Sequence, residues 1–309
     1  MKPSIVVVGS SNTDMVIKAN HLPSPGETIL GGVFFMNAGG KGANQAVAAA
    51  RLGGDVTFIC KTGCDIFGQQ ALQLFKDEGI DTSYMLSDPE NPSGVALITV
   101  DKNAENCIVV ASGANATLST ADLQNALPVI EQASIVLLQL EIPLATVEYV
   151  AATAAANKRM VILNPAPACQ LPESLFPHIS VITPNQNEAE VLSGIKVTDV
   201  ESAKLAAAAI RDKGVKNVIV TLGPDGALVL SEGRYTHVPA NKAEAIDTTA
   251  AGDVFNGALA VALSENKNIV EATRFACKAS AISVTRLGAQ SSAPYRTEIN
   301  EQTGLETSI

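Results

Sequence analysis

Short apolar runs alternate along the chain with stretches whose apolar residues recur at helical spacing, and most of those stretches stop at a glycine. Residues 5–8 (Ile-Val-Val-Val) predict a first strand. Residues 41–52 are Ala-rich and predict a helix ending at Gly53-Gly54, with a strand over 56–59 (Val-Thr-Phe-Ile) behind it. The helical stretch 68–78 ends at Gly79, and 203–213 ends at Gly214 ahead of an apolar run at 218–220. A glycine just past a helix supplies the left-handed C-cap, and such short joints suit crossover helices on a parallel sheet. Further strands are predicted at 135–140, 160–163 and 181–183, and Thr198 to Glu201 reads as a capping box for the helix over 203–210. The expected fold is a doubly wound, mostly parallel α/β sheet flanked by helices.

Two stretches break this rhythm. Residues 12–38 alternate and carry the turn signals Pro23-Ser24-Pro25-Gly26 and Gly31-Gly32, while 94–110 reads as a hairpin around Asp101 to Glu105. These separated β-pieces predict one small sheet, a lid over the cleft of an α/β domain built from 1–11, 39–93 and 111–309. An exposed sheet face wants a partner, so a homodimer through the lid is expected.

The 309 residues suffice for one large α/β domain or two smaller ones. Composition narrows the function classes. No apolar run approaches membrane-spanning length: the best, 135–140, is broken by Gln139 and followed by Glu141. Lys2 precedes a run too short for a signal-peptide core, so the expected setting is cytoplasmic. The net charge of −10 and the scattered Lys and Arg leave no footprint for nucleic acid. A phosphate site must then be built locally, from backbone dipoles and single cations. The five cysteines are odd in number, and Cys60 and Cys64 lack the two-residue gap of a redox or zinc motif. His21, His178 and His237 lie far apart, which argues against a histidine triad or metal site.

The candidate chemistry lies at predicted strand ends and helix starts. Residues 247–257 (Asp-Thr-Thr-Ala-Ala-Gly-Asp-Val-Phe-Asn-Gly) place Asp253 just inside a helix, after the small residues Ala250, Ala251 and Gly252. Unpaired N–H groups at a helix start attract an anion, and a carboxylate beside them suits deprotonation of a hydroxyl facing a phosphate. Read alone, Asp253 is equally an ordinary first-turn acid. Gly39-Gly40-Lys41-Gly42-Ala43-Asn44 opens the first long helix but fits neither the P-loop nor the dinucleotide fingerprint. Asn12-Thr13-Asp14 and Glu141 follow strands, where ligands of open α/β sheets sit. Together with Asn44 they suit sugar hydroxyls, although Asn12 and Asp14 are also good turn formers. Asn185 and Glu188 follow another strand end; the pair reads as a capping box or as a phosphate neighbour with an outer carboxylate for hydrated Mg²⁺. Thr221-Leu222-Gly223-Pro224-Asp225-Gly226 is a tight turn that either holds a nucleotide or only joins a hairpin.

This ordered set resembles the ribokinase family of carbohydrate kinases along nearly the whole chain, with one signature at 39–46 and the other at 247–257. The resemblance implies ATP-dependent phosphorylation of the 5-hydroxyl of D-ribose. It implies Asp253 as general base and the amides of Ala250, Ala251, Gly252 and Asp253 as anion hole. Asn12, Thr13, Asp14, Gly40, Lys41, Gly42, Ala43, Asn44, Glu141 and Asp253 would hold the sugar. Asn185, Thr221 to Gly226, Gly252 and Asp253 would hold ATP, with Cys277 standing where members often carry a histidine near the adenine. Glu188 would serve Mg²⁺ through water. Asp247, Thr249, Ser283, Arg286, Gly288 and Ser292 would surround K⁺, several through carbonyls. The same resemblance implies that the lid makes the homodimer contact. Deoxyribose, another sugar or a nucleoside as acceptor is the alternative, and a catalytically silent binding regulator is a third reading. The retained Asp253, Gly252, Asn185 and Glu188 argue against the regulator.

Overall fold

The computed structural model describes residues 3–103 and 105–305. In chain order, β1 (Ser4–Val8), β2 (Asn12–Lys18) and β3 (Val33–Gly39) lead into α1 (Lys41–Arg51). Then come β4 (Asp55–Ile59), β5 (Lys61–Gly63), α2 (Ile66–Asp77), β6 (Leu86–Asp88), β7 (Gly94–Val100) and β8 (Asn106–Ala111). The middle of the chain holds α3 (Leu127–Gln132), β9 (Ile135–Leu138), α4 (Leu144–Ala156), β10 (Met160–Leu163) and β11 (Val181–Ile182). The last third holds α5 (Gln186–Ser193), α6 (Val200–Asp212), β12 (Asn217–Thr221), β13 (Ala227–Ser231), β14 (Arg234–Val238), α7 (Ala251–Ser264), α8 (Ile269–Ser283) and α9 (Arg296–Leu305).

The main sheet runs β14-β13-β12-β11-β10-β9-β1-β4 and is parallel from β4 across to β12. Strand β13 is antiparallel to both β12 and β14. Strand period puts alternate residues on opposite faces, so β1 is buried on both. Ile5 and Val7 pack with α1, α2, α7 and α8, whereas Val6 and Val8 pack with α3, α4, α5 and α6. Leu137 in the central strand β9 is fully buried, and its truncation to Ala removes about 2–5 kcal/mol of stability.

The helix starts differ from expectation in instructive ways. Helix α2 begins at Ile66 because the Asp65 side chain accepts the Gly68 N–H. The cap of α6 is Asp199, not Thr198: its carboxylate accepts the Ser202 N–H, and Ser202 returns its hydroxyl oxygen to the Asp199 N–H. Glu201 instead pairs with Lys204 at the surface.

A second sheet, β3-β2-β7-β8, stands apart from the first. Its register pairs Asp14 with Asn37 and Ala96, and places Met36, Leu97 and Val109 together on the opposite face. A short parallel pair, β5 with β6, has no counterpart in the expected elements.

Candidate active site

Two helix starts make the centre of the site. At Gly257 the backbones of α7 and α1 approach so closely that a Cβ there would fall 2.7 Å from the Gln45 carbonyl oxygen. This contact sets Asp253 over the first turn of α1. Asn44 Nδ2 donates to Asp253 Oδ2 at 2.9 Å, and Gln45 Nε2 donates to Asp253 Oδ1 at 3.0 Å. Asp253 is only 5% exposed. Burial raises its carboxyl above the ordinary range against the pull of Lys41, Asn44 and Gln45, and Glu141 adds to the rise. For Lys41, burial opposes the charge, yet Asp253, Glu141, Glu188 and Asp14 together hold the ammonium above its usual value.

Ala250, the cap of α7, has φ 59° and ψ 11°, a left-handed conformation that strains a residue with a Cβ by about 1–2 kcal/mol. Val254 is the first residue whose N–H returns into the helix, to Ala250 O at 2.9 Å. The earlier N–H groups therefore lack an intrahelical acceptor. That of Ala251 turns back to Thr248 O at 3.2 Å, which leaves the N–H groups of Gly252 and Asp253 as the free donors of this helix start among the described residues. A Cβ built on Gly252 meets nothing within 4 Å, which leaves open space over the helix start.

On one side of Asp253, Gly252 lines a cleft of about 680 Å³ together with Thr221, Gly223, Pro224, Gly226 and Cys277. These residues were singled out in the sequence; Asn241, Lys242, Phe255 and Ser280 on the same wall were not. Leu222 instead packs into the core, and Asp225 is exposed, its carbonyl bonded to His237. Asn185 bridges to Thr221, but its side chain caps α5. Its Oδ1 accepts the Glu188 N–H, while the Glu188 carboxylate accepts the Asn185 N–H and Nδ2. Burial raises the Glu188 carboxyl, with Lys41 pulling the other way.

Asn12 and Glu141 line a separate cavity of about 530 Å³ together with Asn115 and Pro167. Glu141 Oε2 accepts from Ser10 Oγ at 2.5 Å and from the Lys41 N–H at 3.0 Å, pinning the start of α1. The Ser10 carbonyl takes the Ala43 N–H, and Ser10 Oγ takes that of Gly42. Gly40 has φ 87°, and a Cβ on it would lie 2.7 Å from the Asn12 nitrogen, so only glycine fits. Thr13 faces away from Asp14 on the same strand. The Asp14 carboxyl packs over Gly39, and burial, Glu141 and Asp253 push it up to about 6. Sequence reasoning missed Asn115, which accepts the Ser11 N–H and donates to Asn12 Oδ1 at 2.8 Å. It also missed Gln45, Gln139 and Asn164.

A third cluster surrounds Asp247. Its carboxylate accepts the Thr249 and Gly288 N–H groups at 2.9 Å each, and these bonds outweigh burial to keep it below its usual value. The Asp247 N–H donates to Val284 O beside Ser283, and the Arg286 N–H donates to Ser283 O. The Arg286 guanidinium is engaged by Glu298, which leaves the backbone of this turn as the part facing Asp247. Ser292 is buried in the following turn, its hydroxyl donating to Ala289 O.

A mostly parallel sheet with a buried carboxylate at a helix start, a nucleotide-sized cleft against that helix start and a further cavity reached by Asn12 and Glu141 at strand ends is the arrangement of a small-molecule kinase. Residues 2–296 match the pfkB family of carbohydrate kinases, and the chain belongs to that family. A ribokinase of Haemophilus influenzae is 46% identical over 301 residues, covering 97% of this chain and 98% of that one. A deoxyribokinase of Salmonella typhi is 38% identical over 302 residues, covering 97% and 99%. The solved structure of Arabidopsis thaliana ribokinase complexed with ribose and ATP matches with a TM-score of 0.92 at 33% identity, covering 97% of this chain and 98% of that one. The ribokinase-like fold is thereby established.

Proposed function

We propose that this carbohydrate kinase transfers the γ-phosphoryl group of ATP to the 5-hydroxyl of D-ribose, giving D-ribose 5-phosphate and ADP. The observation that carries the reading is Asp253: a buried carboxylate held by Asn44 and Gln45 at a strained helix start, next to Gly252 on the wall of the nucleotide-sized cleft. Asp253 takes the proton as the 5-oxygen bonds to the γ-phosphorus and the bond to the β–γ bridging oxygen breaks. The Gly252 and Asp253 N–H groups face the charge that develops on the transferred group, and Lys41 adds a cation near it. Asn12, Asp14, Asn44 and Glu141 orient the sugar. Asn44 Oδ1 is buried without a protein partner among the described residues, which supports a sugar hydroxyl as its donor.

Two ions belong to the reading. Both Glu188 oxygens already accept N–H groups in the cap, and they retain lone pairs that fit a hydrated Mg²⁺ through water rather than directly. When bound, Mg²⁺ neutralises phosphate charge. The ionised Asp247 carboxylate and the carbonyl-rich turns at Thr249, Ser283, Arg286, Gly288 and Ser292 are hard oxygen donors that fit K⁺, with Arg286 contributing only its backbone. A bound K⁺ would brace the loop leading into α7.

The second sheet, from 12–38 and 94–110, is read as the lid, with its Asp14 face over the sugar. Its other face exposes Ile17, Phe34, Met36, Leu97 and Val109, which supports a homodimer through it. Leu97→Glu is expected to turn a sedimenting dimer into a monomer; a parent protein that sediments as a monomer contradicts this. Among the described residues no helix is long and apolar enough to cross a membrane. A cytoplasmic setting would supply the ATP and keep thiols such as Cys60 reduced.

The test is coupled ADP release with ribose, 2-deoxyribose, fructose and adenosine, with and without K⁺, and assignment of the phosphorylated carbon by NMR. Ribose with K⁺ is expected to turn over fastest, at carbon 5. A clear preference for 2-deoxyribose would move the assignment to that sugar, and no turnover on any would support the binding regulator.

A further inference from the structure

We infer that Gln45 is a positioning residue for Asp253, and that Gln139 fixes which end of the Gln45 amide faces the carboxylate. The inference rests on the reading of Asp253 as the base.

An ionised carboxylate can only accept hydrogen bonds, so the NH₂ end of Gln45 must face it. Gln45 Nε2 lies 3.0 Å from Asp253 Oδ1 and 3.0 Å from Asn164 Oδ1. The Gln45 oxygen then points the other way, where Gln139 Nε2 donates to it at 2.6 Å. That leaves Gln139 Oε1 buried with no partner among the described residues. It occupies the space of an absent side chain, because a Cβ on Gly9 would fall 2.1 Å from it. Gln45 and Gln139 are both 0% exposed, so neither amide faces bulk water.

The chain of amides is therefore polarised in one direction, from Gln139 through Gln45 to the carboxylate. A protonated Asp253 would favour the opposite polarity: its O–H would donate to Gln45 Oε1, and the Asn164 and Gln139 amides would both have to turn, Asn164 to donate to Gln45 Oε1 and Gln139 to accept from Gln45 Nε2. The observed polarity, with Gln45 Nε2 donating to both Asp253 Oδ1 and Asn164 Oδ1 and the Gln139 oxygen left over at the far end, is the one set for the ionised base. With Asn44 on Oδ2 and Gln45 on Oδ1, the carboxylate plane is locked, and its remaining lone pairs are directed at the hydroxyl. The charged groups acting on Asp253 are Lys41 from α1, Glu141 from the loop after β9, Asp14 from β2 and Glu188 from α5. The amides fix its orientation among them.

In the parent protein without substrates, the side-chain amide NMR signals of Gln45 and Gln139 are expected to titrate together, at the midpoint of the acid limb of kcat/KM, which reports the free enzyme. Signals that stay still through that midpoint overturn the inference, and this measurement needs no variant to fold. Gln45→Met is expected to move the acid limb up by about one pH unit, a tenfold gain in proton affinity, while the KM values for sugar and ATP stay within about twofold. Gln139→Met should shift it in the same direction by less, because it acts on the carboxylate only through Gln45. An unmoved acid limb in both variants, or equal changes in KM and kcat, refutes the positioning role. If Asp253 were not the base, Asp253→Asn would keep its turnover while the amides still titrated with the carboxylate, so the two failures are distinguishable.

Discussion

Asn44 Nδ2 donates to Asp253 Oδ2 across 2.9 Å, joining the first turns of two helices that lie far apart in the chain. The glycine-rich stretch that opens α1 and the small-residue stretch that opens α7 are thus one unit. Asn44→Ala is expected to raise the sugar KM and lower kcat at least tenfold, because it removes both a substrate partner and a clamp on the base. Thermal unfolding should show a loss of about 1–3 kcal/mol from the unpaired carboxylate oxygen. A change in KM alone would detach Asn44 from Asp253.

Gly252→Ala separates stability from function. Nothing within 4 Å meets the added methyl, and a left-handed φ is not required there. Alanine inside a helix should raise stability by about 0.4–1 kcal/mol through the unfolded chain. The methyl enters the space assigned to the phosphoryl group, so kcat/KM for ATP should fall while the melting temperature rises. A variant with parent activity would show that this space is not used.

Asn115 braces Asn12, a residue proposed to hold the sugar. It accepts the Ser11 N–H and donates to Ser11 O and Asn12 Oδ1, and a Cβ on Gly94 would lie 2.3 Å from its Nδ2. Asn115→Ala and Gly94→Ala should both raise the sugar KM severalfold, with ATP KM unchanged in steady-state kinetics.

Acid is expected to weaken sugar binding through Asp14, whose carboxyl is pushed up to about 6. As pH falls below that value the acceptor is lost, so sugar affinity measured by calorimetry should drop between pH 7 and 5, and Asp14→Asn should flatten the profile. The linkage sign runs the other way for folding of the free protein. Because the folded-state value lies above the ordinary 3.8, the folded protein binds more protons in that window, and this group's contribution to stability falls as pH rises from about 4 to about 6. The measured midpoint for stability thus serves as an independent check on the carboxyl that governs affinity.

The strands at 56–59, 160–163 and 218–220 were legible because a doubly covered parallel sheet needs uninterrupted apolar runs. Strand β9 stops at Leu138, short of the expected 140, because Gln139 turns its amide to Gln45. The polar groups proposed to face the sugar, Asn12, Asp14, Asn44 and Glu141, were picked from strand ends and helix starts. Asn115, Gln45, Gln139 and Asn164 were not, since each is defined by partners distant in sequence. The available signal was a polar residue inside an apolar stretch, as with Gln139 in 135–140. The choice between Thr198 and Asp199 as cap turned on local geometry that spacing does not contain.

The most direct test of the account is ADP release by Asp253→Asn with saturating ribose, alongside ribose binding by calorimetry. Asparagine preserves shape and removes the proton acceptor, so turnover should fall by about 10²–10⁴-fold or more while ribose still binds. Turnover near the parent rate would contradict the assignment of Asp253 as the base.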